Sequence, residues 1–124
     1  MAFFADSLLD LPLQYIKDNG SRLDICSAEP ANYTEATSTY TLGNKTSITY
    51  TGPQNGDSSG RKIIVDAISG GSVTATGTAS HWAISKTTST VALLTAKNLS
   101  SSQAVTNGNT FSLAAFNITI PDAT

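Results

Sequence analysis

A chain of 124 residues with a net charge of −2 has room for one domain with its own core, and only 13% of its residues are charged. Its seven basic residues are scattered, with Arg61-Lys62 the one adjacent pair, so they offer no cluster to neutralise phosphates and argue against nucleic acid as a partner. No apolar run approaches the ~20 residues a membrane-spanning helix needs, and a lone cysteine, Cys26, leaves the fold independent of any internal disulfide.

Residues 2–19 carry the one convincing helix pattern. Phe4, Leu8, Leu11 and Tyr15 recur at helical spacing, and Leu9, Leu13 and Ile16 widen the stripe. The segment lacks a basic start and is interrupted by Asp6 and Asp10, so it reads as part of the mature protein rather than as a leader. Pro12 is awkward in a helix interior; it predicts either one kinked helix or a short lead-in followed by a helix over about 11–18. Gly20 is the expected stop, with Asn19 as an alternative left-handed residue. Residues 22–27 alternate, Leu23 and Ile25 on one face and Asp24 and Cys26 on the other, which predicts a strand closed by Glu29-Pro30.

A short helical turn is expected over 33–38, leading into Tyr40-Thr41-Leu42. A strand over 45–51 follows, with Ile48 and Tyr50 on one side. Turn residues make 52–60 an exposed loop. Residues 61–69 read as a strand buried on both faces in its middle, and Gly70-Gly71 as a hairpin turn. The stretch 79–86 is a strand that sets His81 and Trp82 on opposite faces, with Trp82 toward the core. After a turn at 87–89 come a strand to 97, a polar link over 98–102 and a short strand over 103–106. Asn107-Gly108-Asn109 is a second hairpin signal. The closing strand, 110–120, changes the phase of its alternation between Ala115 and Phe116, which predicts a β-bulge there. Roughly eight short strands spaced about ten residues apart, after one helix, predict a mainly β chain. The expected architecture is an antiparallel β-sandwich or jelly-roll-like barrel with one N-terminal helix. The helix or arm occupies 1–20 and the sandwich 21–124, within a single domain.

The chemistry-bearing residues are few. Residues 56–62 hold glycines and a lysine, but not at phosphate-loop spacing and with no helix to follow. Asp57 and Asp66 lack an EF-hand spacing, no paired cysteines suggest a metal, and no serine sits in a nucleophile elbow. Cys26 reads as a small buried hydrophobe; a nucleophilic role would need a base beside it, and nothing in the sequence brings His81, the one histidine, to it. The four Asn-x-Ser/Thr matches, at Asn32, Asn44, Asn98 and Asn117, are what a chain so rich in Ser and Thr produces by chance. No catalytic residue, metal or cofactor is therefore expected. Large apolar groups near the chain start are more informative, because a terminus frays unless something ties it down. Phe3, Phe4 and Leu8 are candidate partner contacts, and His81 joins them as an outward-pointing residue. A glycan platform would draw on Tyr33, Tyr40 and Tyr50.

Several stretches together resemble a group of small bacteriophage virion structural proteins. They are Leu9-Asp10 with Tyr15-Ile16, residues 22–30 (Arg-Leu-Asp-Ile-Cys-Ser-Ala-Glu-Pro), Tyr33-Thr34-Glu35-Ala36, Leu42-Gly43-Asn44-Lys45, Gly60-Arg61-Lys62, residues 79–84 around His81-Trp82, and the closing Ile118-Thr119-Ile120-Pro121-Asp122. The resemblance runs over nearly the whole chain and implies a virion component, for which a head cement or decoration protein is the expected role. Such a protein sits on the outer surface of the capsid after synthesis in the host bacterial cytoplasm, bridges major capsid protein subunits and often self-associates, a trimer being favoured. No catalytic residues come with the resemblance, and composition has already argued against nucleic acid and a membrane-spanning helix. A tail- or fibre-associated β-module, with or without glycan binding, is the alternative it leaves open.

Overall fold

The structure is a computed structural model describing residues 5–56 and 60–121. One helix, α1 (Asp6–Asn19), precedes nine strands: β1 (Arg22–Cys26), β2 (Thr41–Thr46), β3 (Tyr50–Asn55), β4 (Arg61–Val65), β5 (Ile68–Val73), β6 (Gly77–Lys86), β7 (Ala92–Val105), β8 (Thr110–Leu113) and β9 (Phe116–Ile120). They form two antiparallel sheets. The larger runs β7-β6-β1-β2-β5-β8 and the smaller β3-β4-β9. The expected helix-plus-β-sandwich is the observed architecture.

The alternation read in β1 decides how the sheets meet. Leu23 and Ile25 point inward, where Trp82 and Ile84 of β6, Leu42 of β2, Val73 of β5, Phe111 and Leu113 of β8 and Val65 of β4 close around them. Each such side chain stabilises by about 1.5–3 kcal/mol when fully buried, which is why a period-2 pattern fixes the face of each strand. Trp82 lies against Phe116 of β9, ring centroids 4.6 Å apart and tilted by 36°, so the indole ties the two sheets together.

Helix α1 lies on the smaller sheet, against β3, β4 and β9. Leu9 and Leu13 are buried there, and Ile16 reaches the main core. Arg61 of β4 clasps the helix through Asp10, Nε to Oδ1 at 2.8 Å, and Lys17 Nζ donates to the Gly52 carbonyl at 2.7 Å. The helix is continuous through Pro12, rather than a lead-in and a shorter helix. Pro12 removes the donor that the Leu8 carbonyl would use, a loss placed on the exposed side of the helix. Gly20 does close the helix, its N–H bonding to Ile16 O at 2.7 Å, but not in the expected left-handed conformation, since its φ is −81°. Space makes it glycine: a Cβ there would sit 2.6 Å from both Ile84 Cγ2 and Tyr50 Oη.

Most departures from the sequence reading share one cause, the chain's habit of switching sheets in mid-run. The single strand expected over 45–51 is split: Lys45 and Thr46 end β2 in the larger sheet, Ser47 turns with φ 57°, and Tyr50 opens β3 in the smaller one. The run 61–69 is likewise β4 and the start of β5, with Asp66-Ala67 crossing between sheets. At Ala115–Phe116 the change of phase is not a bulge but the crossing from β8 to β9. Gly70-Gly71 lies inside β5, at a shift in its pairing with β8, and Asn107-Gly108-Asn109 joins two strands that are not paired to each other. The loop expected over 52–60 shrinks because β3 runs to Asn55. The polar link over 98–102 belongs to β7.

Candidate partner-contact surfaces

Three surfaces stand out. The first is the outer face of α1. Leu8, Leu11 and Tyr15 are 51%, 64% and 50% exposed, and their spacing places them on one side of the helix. The Lys86 ammonium lies 5.9 Å from the Tyr15 ring centroid and borders the stripe. Of the sequence-based contacts, Leu8 is therefore on an open apolar face, whereas Phe3 and Phe4 lie outside the described residues.

The second is the outer face of the larger sheet, where β1 presents Arg22, Asp24 and Cys26. Asp24 is fully buried and well satisfied: Arg22 donates to it through Nε at 2.8 Å and Nη2 at 2.9 Å, and Thr41 Oγ1 donates at 2.7 Å. That pairing holds the Arg22 guanidinium above its ordinary range. A π-type turn over Glu35–Thr39 covers this region. Asn32 and Glu35 hold the turn: Glu35 N–H donates to Asn32 Oδ1 at 2.9 Å and Ala31 N–H to Glu35 Oε1 at 2.7 Å, a variant of the capping box in which the glutamate reaches the residue before the cap. Its signal, Asn three residues before Glu, was present in the sequence.

His81 is half-buried on this same face, and it is the direct cross-strand partner of Cys26. The pairing of β1 with β6 thus joins two residues that the sequence left apart. It does not make a reactive thiolate. Cys26 is completely buried and directs its Sγ at the Ala36 carbonyl, 3.6 Å away. Burial, reinforced by the Asp24 charge, pushes its thiol up to about 12. His81 Nδ1 is instead 2.8 Å from Ser80 Oγ, which also donates to Ser27 O at 3.1 Å. Leu8 and His81 belong to different layers, the helix and the outer face of the larger sheet.

Tyr40 and Tyr50 do not share a platform. Tyr50 packs toward the core, its hydroxyl donating to Gly20 O at 2.6 Å, while Tyr40 packs beside Cys26 and Ala36 on the outer face. Asp66 accepts from Thr49 and Thr51 hydroxyls, both at 2.8 Å, and Asp57 lies outside the described residues. Among the described residues no group of three His, Cys, Asp or Glu converges as a metal site would.

The third surface is a cleft of about 460 Å³ between β7 and the crossing from β8 to β9. It follows from a large bulge: Ala79 pairs with Gln103 and His81 with Asn98, so residues 99–102 stand opposite Ser80 alone. Nothing in the local sequence announced it beyond a polar break in the strand pattern.

Fold and surfaces together define a small antiparallel β-sandwich with a helix docked on its minor sheet and an apolar stripe left open on that helix. No family model, curated protein or solved structure matches the chain.

Proposed function

We propose that this chain is a bacteriophage head cement protein, a non-catalytic brace that binds the outside of the assembled capsid and bridges major capsid protein subunits, as a homotrimer. The observation that carries this reading is the open stripe of Leu8, Leu11 and Tyr15 on a helix fastened to a rigid sandwich. Apolar groups grouped on one face mark a contact surface, and two leucines and a tyrosine suffice to anchor one. The resemblance over nearly the whole chain to small phage virion proteins supports the same reading. A protein that binds the assembled shell and not free subunits stabilises the shell by mass action.

The experiment adds purified protein to undecorated heads and follows co-sedimentation and the temperature of DNA release. Wild type is expected to bind in fixed stoichiometry and raise that temperature. The double variant Leu8→Glu/Leu11→Glu, folded because both positions face water, is expected to do neither. Heads that neither bind the protein nor gain heat resistance would dismiss the proposal.

A further inference from the structure

We propose that the cleft beside Trp82 is a binding site for a saccharide bearing an acidic group; the inference does not rest on the cement reading. At about 460 Å³ the cleft falls within the range of small-molecule sites and has room for about one or two sugar rings. Its apolar lining includes Trp82, Leu99, Leu113 and Phe116, and the two rings are packed against each other. Its polar lining is almost wholly neutral: the amides of Asn98 and Gln103 and the hydroxyls of Ser100 and Ser101. Amides and hydroxyls each donate and accept. A ligand matching them presents hydroxyl groups around an apolar ring face, which describes a pyranose. Among the described residues Lys97 is the one charged group in the lining, with no carboxylate beside it there. An ammonium so placed favours a ligand carboxylate.

The geometry of β7 also favours a compact ligand over a peptide strand. As the terminal strand of its sheet, β7 has an open outer edge, but the bulge over 99–102 and Lys97 lie where an added strand would pair. Both features discourage strand addition. A bulge beside a cleft serves instead to re-aim side chains into it.

Trp82 is the chain's single tryptophan, so its fluorescence reports on the cleft directly. The test titrates the full chain with methyl β-D-glucuronide and, in parallel, methyl β-D-glucoside, following Trp82 emission and the amide resonances of 97–103 and 114–117. Glucuronide is expected to saturate both signals about tenfold more tightly than glucoside, the equivalent of about 1.4 kcal/mol. In Lys97→Glu, a change at an exposed position, that preference is expected to vanish or invert. The inference is overturned if neither sugar moves these resonances, or if Lys97→Glu keeps the glucuronide preference. It is equally overturned if a capped alternating peptide, acetyl-Val-Glu-Val-Thr-Val-Glu-amide, saturates the same signals at lower concentration than the sugars. Head binding plays no part in the readout, so failure here leaves the cement reading standing, and the converse holds.

Discussion

Asp24 shows how a charge is kept inside a protein this poor in charge. Its carboxylate is buried but fully engaged, while Arg22 keeps 23% of its side chain in water. The two partners are therefore unequal. Removing the arginine strands a buried carboxylate, and Arg22→Ala is expected to cost about 3 kcal/mol in urea unfolding. Asp24→Asn leaves an arginine that can turn to solvent and is expected to cost about 1–2 kcal/mol. Equal losses would mean that packing, not charge, matters there. Cys26 gives a pH signature. The unfolded chain releases its thiol proton near 9 and the folded one near 12, so unfolding is coupled to proton release between these values. Stability contributed by the protonated thiol is complete below pH 9 and is lost as pH rises toward 12. Cys26→Ser is expected to abolish the part of the decline that begins near pH 9. A later part belongs to Tyr50, whose hydroxyl burial raises above its ordinary value of 10.0; Tyr50→Phe removes it. At pH 7.5 a maleimide is expected to label Cys26 only after denaturation.

Among the elements, α1 balances a poor helix interior against good docking. A proline inside a helix costs on the order of 3 kcal/mol, and the burial of Leu9 and Leu13 offsets it. Pro12→Ala is expected to raise stability by about 1–3 kcal/mol, and Leu13→Ala to lower it by about 2–5 kcal/mol, both read from denaturant midpoints. The helix, β1 and the inward Trp82 were legible in the sequence because each rests on a local period that burial then obeys. Sheet switching was not legible. A strand that crosses sheets and one that continues through a bulge leave the same trace, a change of phase, and only the pairing partner tells them apart. That is why 61–69 and 110–120 read as single strands. The Cys26–His81 pairing and the cleft were hidden for the same reason, since both depend on register between distant segments. The Asn32–Glu35 cap was readable, being purely local.

In the whole molecule, the helix stripe and the cleft lie on different elements, so substitutions in one are expected to leave the other intact. Leu8→Glu/Leu11→Glu is expected to keep the wild-type melting temperature, because exposed positions away from special contacts shift stability by less than about 0.5 kcal/mol. A large loss would mean that the stripe is part of the fold. The smaller sheet has a further consequence. Its central strand β4 pairs with β9, Arg61 opposite Ile120, so the seat of the helix is unfinished until β9 is in place. Contact order is high, and refolding is expected on the millisecond-to-second scale. Leu9, Leu13 and Ile63, buried in the finished fold, lack their full cover until β9 closes the smaller sheet. Closure of that final strand, not formation of the helix, is then the step that commits the chain to the native state.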